Sequence, residues 1–120
     1  MQFKIKPFNE TICFIYGFDK NPRVYDFVLT LITKDNVTEA HALLSRAKLV
    51  IVDFLRLWKI VKEASQAEWF IFEVLPEHAK AYKMGLELES STSKTFDGYD
   101  SVIIKLNRNA KLKHFNDTLV

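Results

Sequence analysis

The chain has 120 residues, with 17 Lys and Arg against 15 Asp and Glu, a formal net charge of +2. That length predicts one domain, and so small a surplus of cations argues against nucleic-acid binding by charge alone. Hydrophobic residues make up 48% and charged residues 27%, the mix of a globular protein rather than a disordered one. The one cysteine, Cys13, excludes an internal disulfide and a multi-cysteine zinc site. No apolar run is long enough to span a membrane, and residues 1–6 lack the apolar core of a signal peptide. The expected compartment is the cytoplasm.

Residues 3–8 alternate apolar and polar side chains and predict a short strand, with Pro7 at an edge or an end. Residues 11–18 are β-branched and aromatic and predict a second strand. Residues 19–23 form a turn around Asn21-Pro22. Residues 24–32 predict a third strand, antiparallel to the second. Residues 33–36 then offer N-cap side chains, and Glu39 stands three positions after Asn36, close to a capping box. Apolar residues follow at Ala40, Leu43, Leu44, Ala47, Ile51, Phe54, Leu55, Trp58 and Val61, a helical spacing that runs to about Ala64. Within it Leu49 to Val52 is apolar all round. It reads either as helix buried on two faces or as a short buried strand over residues 48–54. The exposed face formed by Asp53, Arg56 and Lys59 favours helix.

Residues 68–75 are nearly all apolar and predict a central strand covered on both faces. Pro76 opens a helix over residues 77–84, which Gly85 stops as a left-handed cap. Residues 86–89 lead into a strand, residues 90–94 read as a polar turn, Asp97-Gly98 as another, and residues 101–106 as the last strand. The domain is expected to span residues 1–106, with residues 107–120 as a C-terminal tail. The order β-β-β-α-β-α-β-β predicts an α+β fold: a mixed, mostly antiparallel sheet with one long and one short helix.

Residues 72–86, FEVLPEHAKAYKMGL, resemble the C-terminal half of the GNAT N-acetyltransferase fold, in which a strand runs into a helix carrying an a-x-x-Y-x-x-G-F pattern. Pro76, His78 and Tyr82 match a Pro-x-His-x-x-x-Tyr spacing of acyltransferase relatives. The resemblance extends from about Val24 to Leu106. It implies a general-acid role for Tyr82, which would protonate the coenzyme A thiolate, and admits Glu73 as a base acting on an amine. It also implies a glycine-rich turn whose backbone N–H groups bind the pyrophosphate of acetyl-CoA. The stretch aligned with that turn, residues 33–42, holds no glycine and carries Asp35 and Glu39. Two helices expected after the first strand have no room, since Asn9-Glu10 alone separates the first two strands. A shortened fold of this kind is similar to the small internal virion proteins of T7-like tailed phages, which would place the chain in a virion or a host cytoplasm.

Each candidate residue also has a structural reading. Tyr82 is either that acid or a ring packed on the sheet. Glu73 is either a base or a polar side chain set by strand alternation. Cys13 is expected to be a buried structural thiol. His41, His78 and His114 lie too far apart for a metal set, so no metal is expected. Lys105, Arg108, Lys111, Lys113 and His114 form a basic C-terminal cluster, read as a solvated face or as a contact for an acidic partner surface or nucleic-acid phosphates.

These features support a non-catalytic interaction or assembly protein on a degenerate acetyltransferase-like fold, binding a protein partner or its own copies and needing no cofactor. The alternatives are an acetyl-CoA-dependent N-acetyltransferase and a phage inhibitor of a host protein.

Overall fold

The computed structural model describes residues 1–45 and 49–113, without the side chains of residues 44 and 45. The N-terminal alternation becomes strand β1 (Gln2–Pro7), and the aromatic run becomes β2 (Ile12–Phe18). Strand β3 (Phe27–Lys34) starts three residues later than its composition suggests. Asp26 N–H donates to the Gly17 carbonyl (2.9 Å), and Tyr25 lies over Tyr16 (4.4 Å between ring centroids), so residues 24–26 act as the approach to the strand.

Residues 37–45 form a fourth strand, β4 (Val37–Ser45), not the first turns of a helix. Asp35 and Asn36 are no N-cap. Both have positive φ (52° and 66°) and make a two-residue hairpin turn, a conformation that short polar side chains tolerate. Asn36 is also tied down at a distance: its Oδ1 accepts from Glu68 N–H (2.9 Å). The helix is therefore short. Helix α1 (Ile51–Ala64) takes Ile51 to Phe54 as its first turn, which removes the strand alternative there; Lys48 lies outside the described residues.

Strand β5 (Trp69–Val74) leads through Leu75 into α2 (Pro76–Gly85), with Pro76 at the first helical position. Gly85 is the last residue of α2 and has no positive φ; Gly98 is the glycine that does. The helix stops instead because Leu86 turns extended (φ −134°) and is fully buried, bridged to Leu112. Residues 90–94 belong to an edge strand, β6 (Ser90–Phe96), and not to a turn. Asp97 and Gly98 (φ 51° and 81°) make the hairpin to β7 (Tyr99–Asn107).

The seven strands lie in the order β1-β2-β3-β4-β5-β7-β6. Among the described residues β4–β5 is the one parallel pair, and α1 is its crossover. Both helices pack on the same side. Trp58 of α1 meets Phe70 and Phe72 edge-on (5.0 and 6.0 Å), and Tyr82 of α2 meets Phe72 (5.3 Å) and Phe54 of α1 (4.8 Å). Phe27, Leu29, Leu31, Ala40, Ile104 and Leu106 complete that core. The central strand β5 is thus covered on one face, not two. Phe70, Phe72 and Val74 are buried, whereas Trp69, Ile71 and Glu73 point to a side where no described helix packs.

A hydroxyl cluster fixes the helix to the sheet. Thr38 and Ser65 hydroxyls lie 2.6 Å apart, Thr33 and Thr38 hydroxyls 2.7 Å apart, and the Ser65 oxygen accepts from Ala67 N–H (3.1 Å). These buried oxygens satisfy one another, as burial requires.

Candidate functional site

Tyr82 is brought into the core by its own helix. Ala79 and Tyr82 recur at helical spacing on the buried face of α2, and the Tyr82 ring closes the corner between Phe54 and Phe72 with 2% of its surface exposed. Burial alone pushes its phenol well above the ordinary value. A general acid works best with a pKa near the working pH, so this environment makes Tyr82 a poor proton donor. His78, one turn earlier, is half-buried against Phe54 (5.1 Å). Desolvation lowers its pKa, and the neighbouring Glu77 carboxylate opposes that shift.

Glu73 lies across the sheet from Tyr82. Its neighbour Phe72 faces the helices, so strand alternation sends the Glu73 carboxylate to the bare side. There it stands 4.0 Å from Lys94 Nζ. The sheet separates the two groups, and no single substrate can touch both.

The strand-to-helix junction is residues 46–50, not 33–42, because the latter stretch is the β3–β4 hairpin. The acidic residues Asp35 and Glu39 therefore do not stand at a helix start. The true junction, Arg46-Ala47-Lys48-Leu49-Val50, also lacks glycine; residues 46–48 are outside the described set. The N-terminus of α1 already holds an anion: Val50 N–H donates to Asp53 Oδ2 (3.2 Å). Asp53 Oδ1 is 3.6 Å from the Met1 ammonium and 3.8 Å from Arg56. A phosphate there would meet this carboxylate. The apolar groove between α1 and α2, lined by Val50, Val52, Ala81 and Met84, has Glu77 and Lys80 as its charged side chains. These make no converging set of donors.

The basic C-terminal residues are not one patch. Lys105 lies on the bare side of β7, with Nζ 4.7 Å from the Trp69 ring centroid. Arg108 turns inward: Nη1 donates to the Ser65 and Ala67 carbonyls (2.7 and 3.0 Å) and Nη2 to the Lys62 carbonyl (2.6 Å), closing the C-terminus of α1. Lys111 and Lys113 sit in a segment that runs beside the end of α2, where Glu87 N–H donates to the Lys111 carbonyl and Lys113 N–H to the Gly85 carbonyl. His114 lies outside the described residues. Cys13 is half-buried on the helix side of β2, and burial raises its pKa. Among the described residues no three His, Cys, Asp or Glu gather as for a metal, and no helix is long and apolar enough to cross a membrane.

No family model and no curated protein matches the chain. Among solved structures it is similar to FeeM, an N-acyl amino acid synthase from uncultured soil microbes, with a TM-score of 0.53 and 11% identity. The match covers 83% of this chain and 71% of that one. The fold is GNAT-like. At 11% identity the likeness carries the fold alone. Within this GNAT-like frame β1 runs into β2 through residues 8–11, with no helices between them.

The open side of the sheet is the feature that sequence reasoning missed. Its residues Phe14, Tyr16, Val28, Ile32, Trp69, Ile71 and Ile103 are apolar yet only half-buried. The nearly continuous apolar run of β5 suggested two covered faces there, and nothing in the sequence said that the second cover was missing.

Proposed function

We propose that the chain is a non-catalytic binding module built on a GNAT-like fold. The observation that carries this reading is the separation of Tyr82 and Glu73 to opposite sides of the sheet, with the phenol enclosed by Phe54 and Phe72. The carboxylate of Asp53 at the start of α1 supports it from the cofactor side. What remains available for function is surface: an apolar sheet face that no described helix covers. The resemblance to small internal virion proteins agrees with an assembly role of this kind.

Titration with coenzyme A and acetyl-CoA tests the reading. Any ligand of the native state must stabilise it, by about 2.7 kcal/mol at about 100 times Kd, which for a chain of this size is about 10 °C in Tm. Millimolar ligand is expected to leave Tm unchanged and to give no heat. A saturable shift would overturn the non-catalytic assignment.

A further inference from the structure

The bare side of the sheet has an ordered charge pattern. Strand alternation and register place Lys4 and Lys6 there on β1, opposite Tyr16 and Phe14 of β2. Opposite Tyr16 and Phe14 on β3 stand Val28 and Thr30, and opposite Thr30 on β4 stands His41, with Glu39 two residues along, opposite Ile32. Lys4 and Lys6 are exposed and have no ion-pair partner among the described residues, and Glu39 is exposed with its Oε2 3.8 Å from His41 Nε2. From β1 to β4 a cationic flank gives way to two rings, then to Val28, Thr30 and Ile32, then to the Glu39–His41 pair.

That order is complementary to itself. Consider a second copy turned about a two-fold axis parallel to the strands, between β2 and β3, and laid face to face on the first. Strand β1 of each copy then lies over β4 of the other, and β2 over β3. Lys6 then stands level with His41, within reach of the Glu39–His41 pair, Tyr16 covers Val28 and Phe14 covers Thr30, and every contact occurs twice, as an isologous interface requires. An axis across the strands would instead lay β1 on β1, lysine on lysine, and is disfavoured. A nucleic acid fits less well, because Glu39 and Glu73 stand in the middle of the face and would meet its phosphates.

We infer that this face joins two copies of the chain into a face-to-face dimer. The inference rests on the reading of the chain as a binding module and names its partner. The overlapping strands span about 20 Å across and about 20 Å along, small against the roughly 800 Å² per partner of a standard interface. The dimer is therefore reversible and dissociates on dilution.

Charge exchange tests it without disturbing the core, because Lys6 and Glu39 are both exposed. Sedimentation velocity from micromolar to millimolar wild-type chain should show the mass rising from one copy to two. Lys6→Glu places carboxylates on both flanks, and Glu39→Lys places cations on both. Each variant alone should dimerise at least about tenfold more weakly, with unchanged circular dichroism and Tm at low concentration. An equimolar mixture of the two should recover dimer as a mixed pair, since each variant then carries the charge the other lacks. A wild-type chain that stays monomeric to millimolar concentration overturns the inference. Single variants that dimerise like wild type, as pairing through an exposed sheet edge would allow, also overturn it, and so does a mixture that stays monomeric. Coenzyme A titration is indifferent to these outcomes, so the dimer can fail while the non-catalytic reading stands.

Discussion

Truncating Tyr82 separates packing from chemistry. The ring is 2% exposed and lies 4.8 Å from the Phe54 centroid and 5.3 Å from that of Phe72. A buried aromatic of this size removes about 200 Å² from water, and at about 25 cal/mol per Å² that sets an upper bound near 5 kcal/mol. Tyr82→Ala leaves a cavity between two helices and a sheet that cannot all close on it, so the expected cost is about 3–5 kcal/mol. That is a large share of the stability of an ordinary domain and lowers Tm by about 15 °C. Tyr82→Phe keeps the ring and its contacts with Phe54 and Phe72, and should cost within about 1 kcal/mol. Urea unfolding followed by circular dichroism measures both, beside an assay for thiol release from acetyl-CoA. Acyl transfer by the wild-type chain that vanishes in Tyr82→Phe at unchanged stability would refute the argument. A loss below about 1 kcal/mol in Tyr82→Ala would refute the packing.

Other substitutions test other contacts. Arg108→Ala leaves the Lys62, Ser65 and Ala67 carbonyls without their donors and should cost about 2–3 kcal/mol in urea unfolding, whereas Lys111→Ala, on an exposed side chain, should stay within about 0.5 kcal/mol. The Thr30 hydroxyl is buried without a partner, so the isosteric Thr30→Val should stabilise the monomer by about 1 kcal/mol, measured at low protein concentration by thermal unfolding. Burial lowers the His78 pKa below its unfolded value of 6.5, so the unfolded chain binds the proton first. Stability is then greatest above pH 6.5 and falls as pH drops from there toward the lowered folded pKa. In His78→Phe that part of the pH dependence of urea stability should disappear.

How much of this was legible in the sequence depends on which elements bury one face. Strands β1, β2, β5 and β7 and helix α2 were legible because alternation or an apolar run ended at Pro76 marked them. Strand β4 was not. Ala40, Leu43, Leu44 and Ala47 imitate helical spacing because a bulge between Val28 and Leu29 leaves Leu43 as an extra residue, 65% exposed, and breaks the alternation begun by Thr38 and Ala40. Strand β6 was missed because all seven residues are exposed and no pattern distinguishes its two sides. Of the candidate site, the opposite parity of Glu73 and Phe72 was readable from the strand. The spending of the Arg108 guanidinium on helix carbonyls more than 40 residues earlier in the chain was not, because a local pattern carries no information about such partners.

The single parallel seam also shapes how the chain finds its structure. Strands β1 to β4 form a meander in which each strand pairs with the next in sequence, and α2 folds back beside its own preceding strand. Such pairings have short closure distances and form early. The seam from Val37–Trp69 to His41–Glu73 joins residues 32 positions apart and waits for α1 to dock. The N-terminal meander therefore has a kinetic life of its own, and the nascent chain holds a preformed sheet whose β4 edge stays unpaired until β5 arrives to close it.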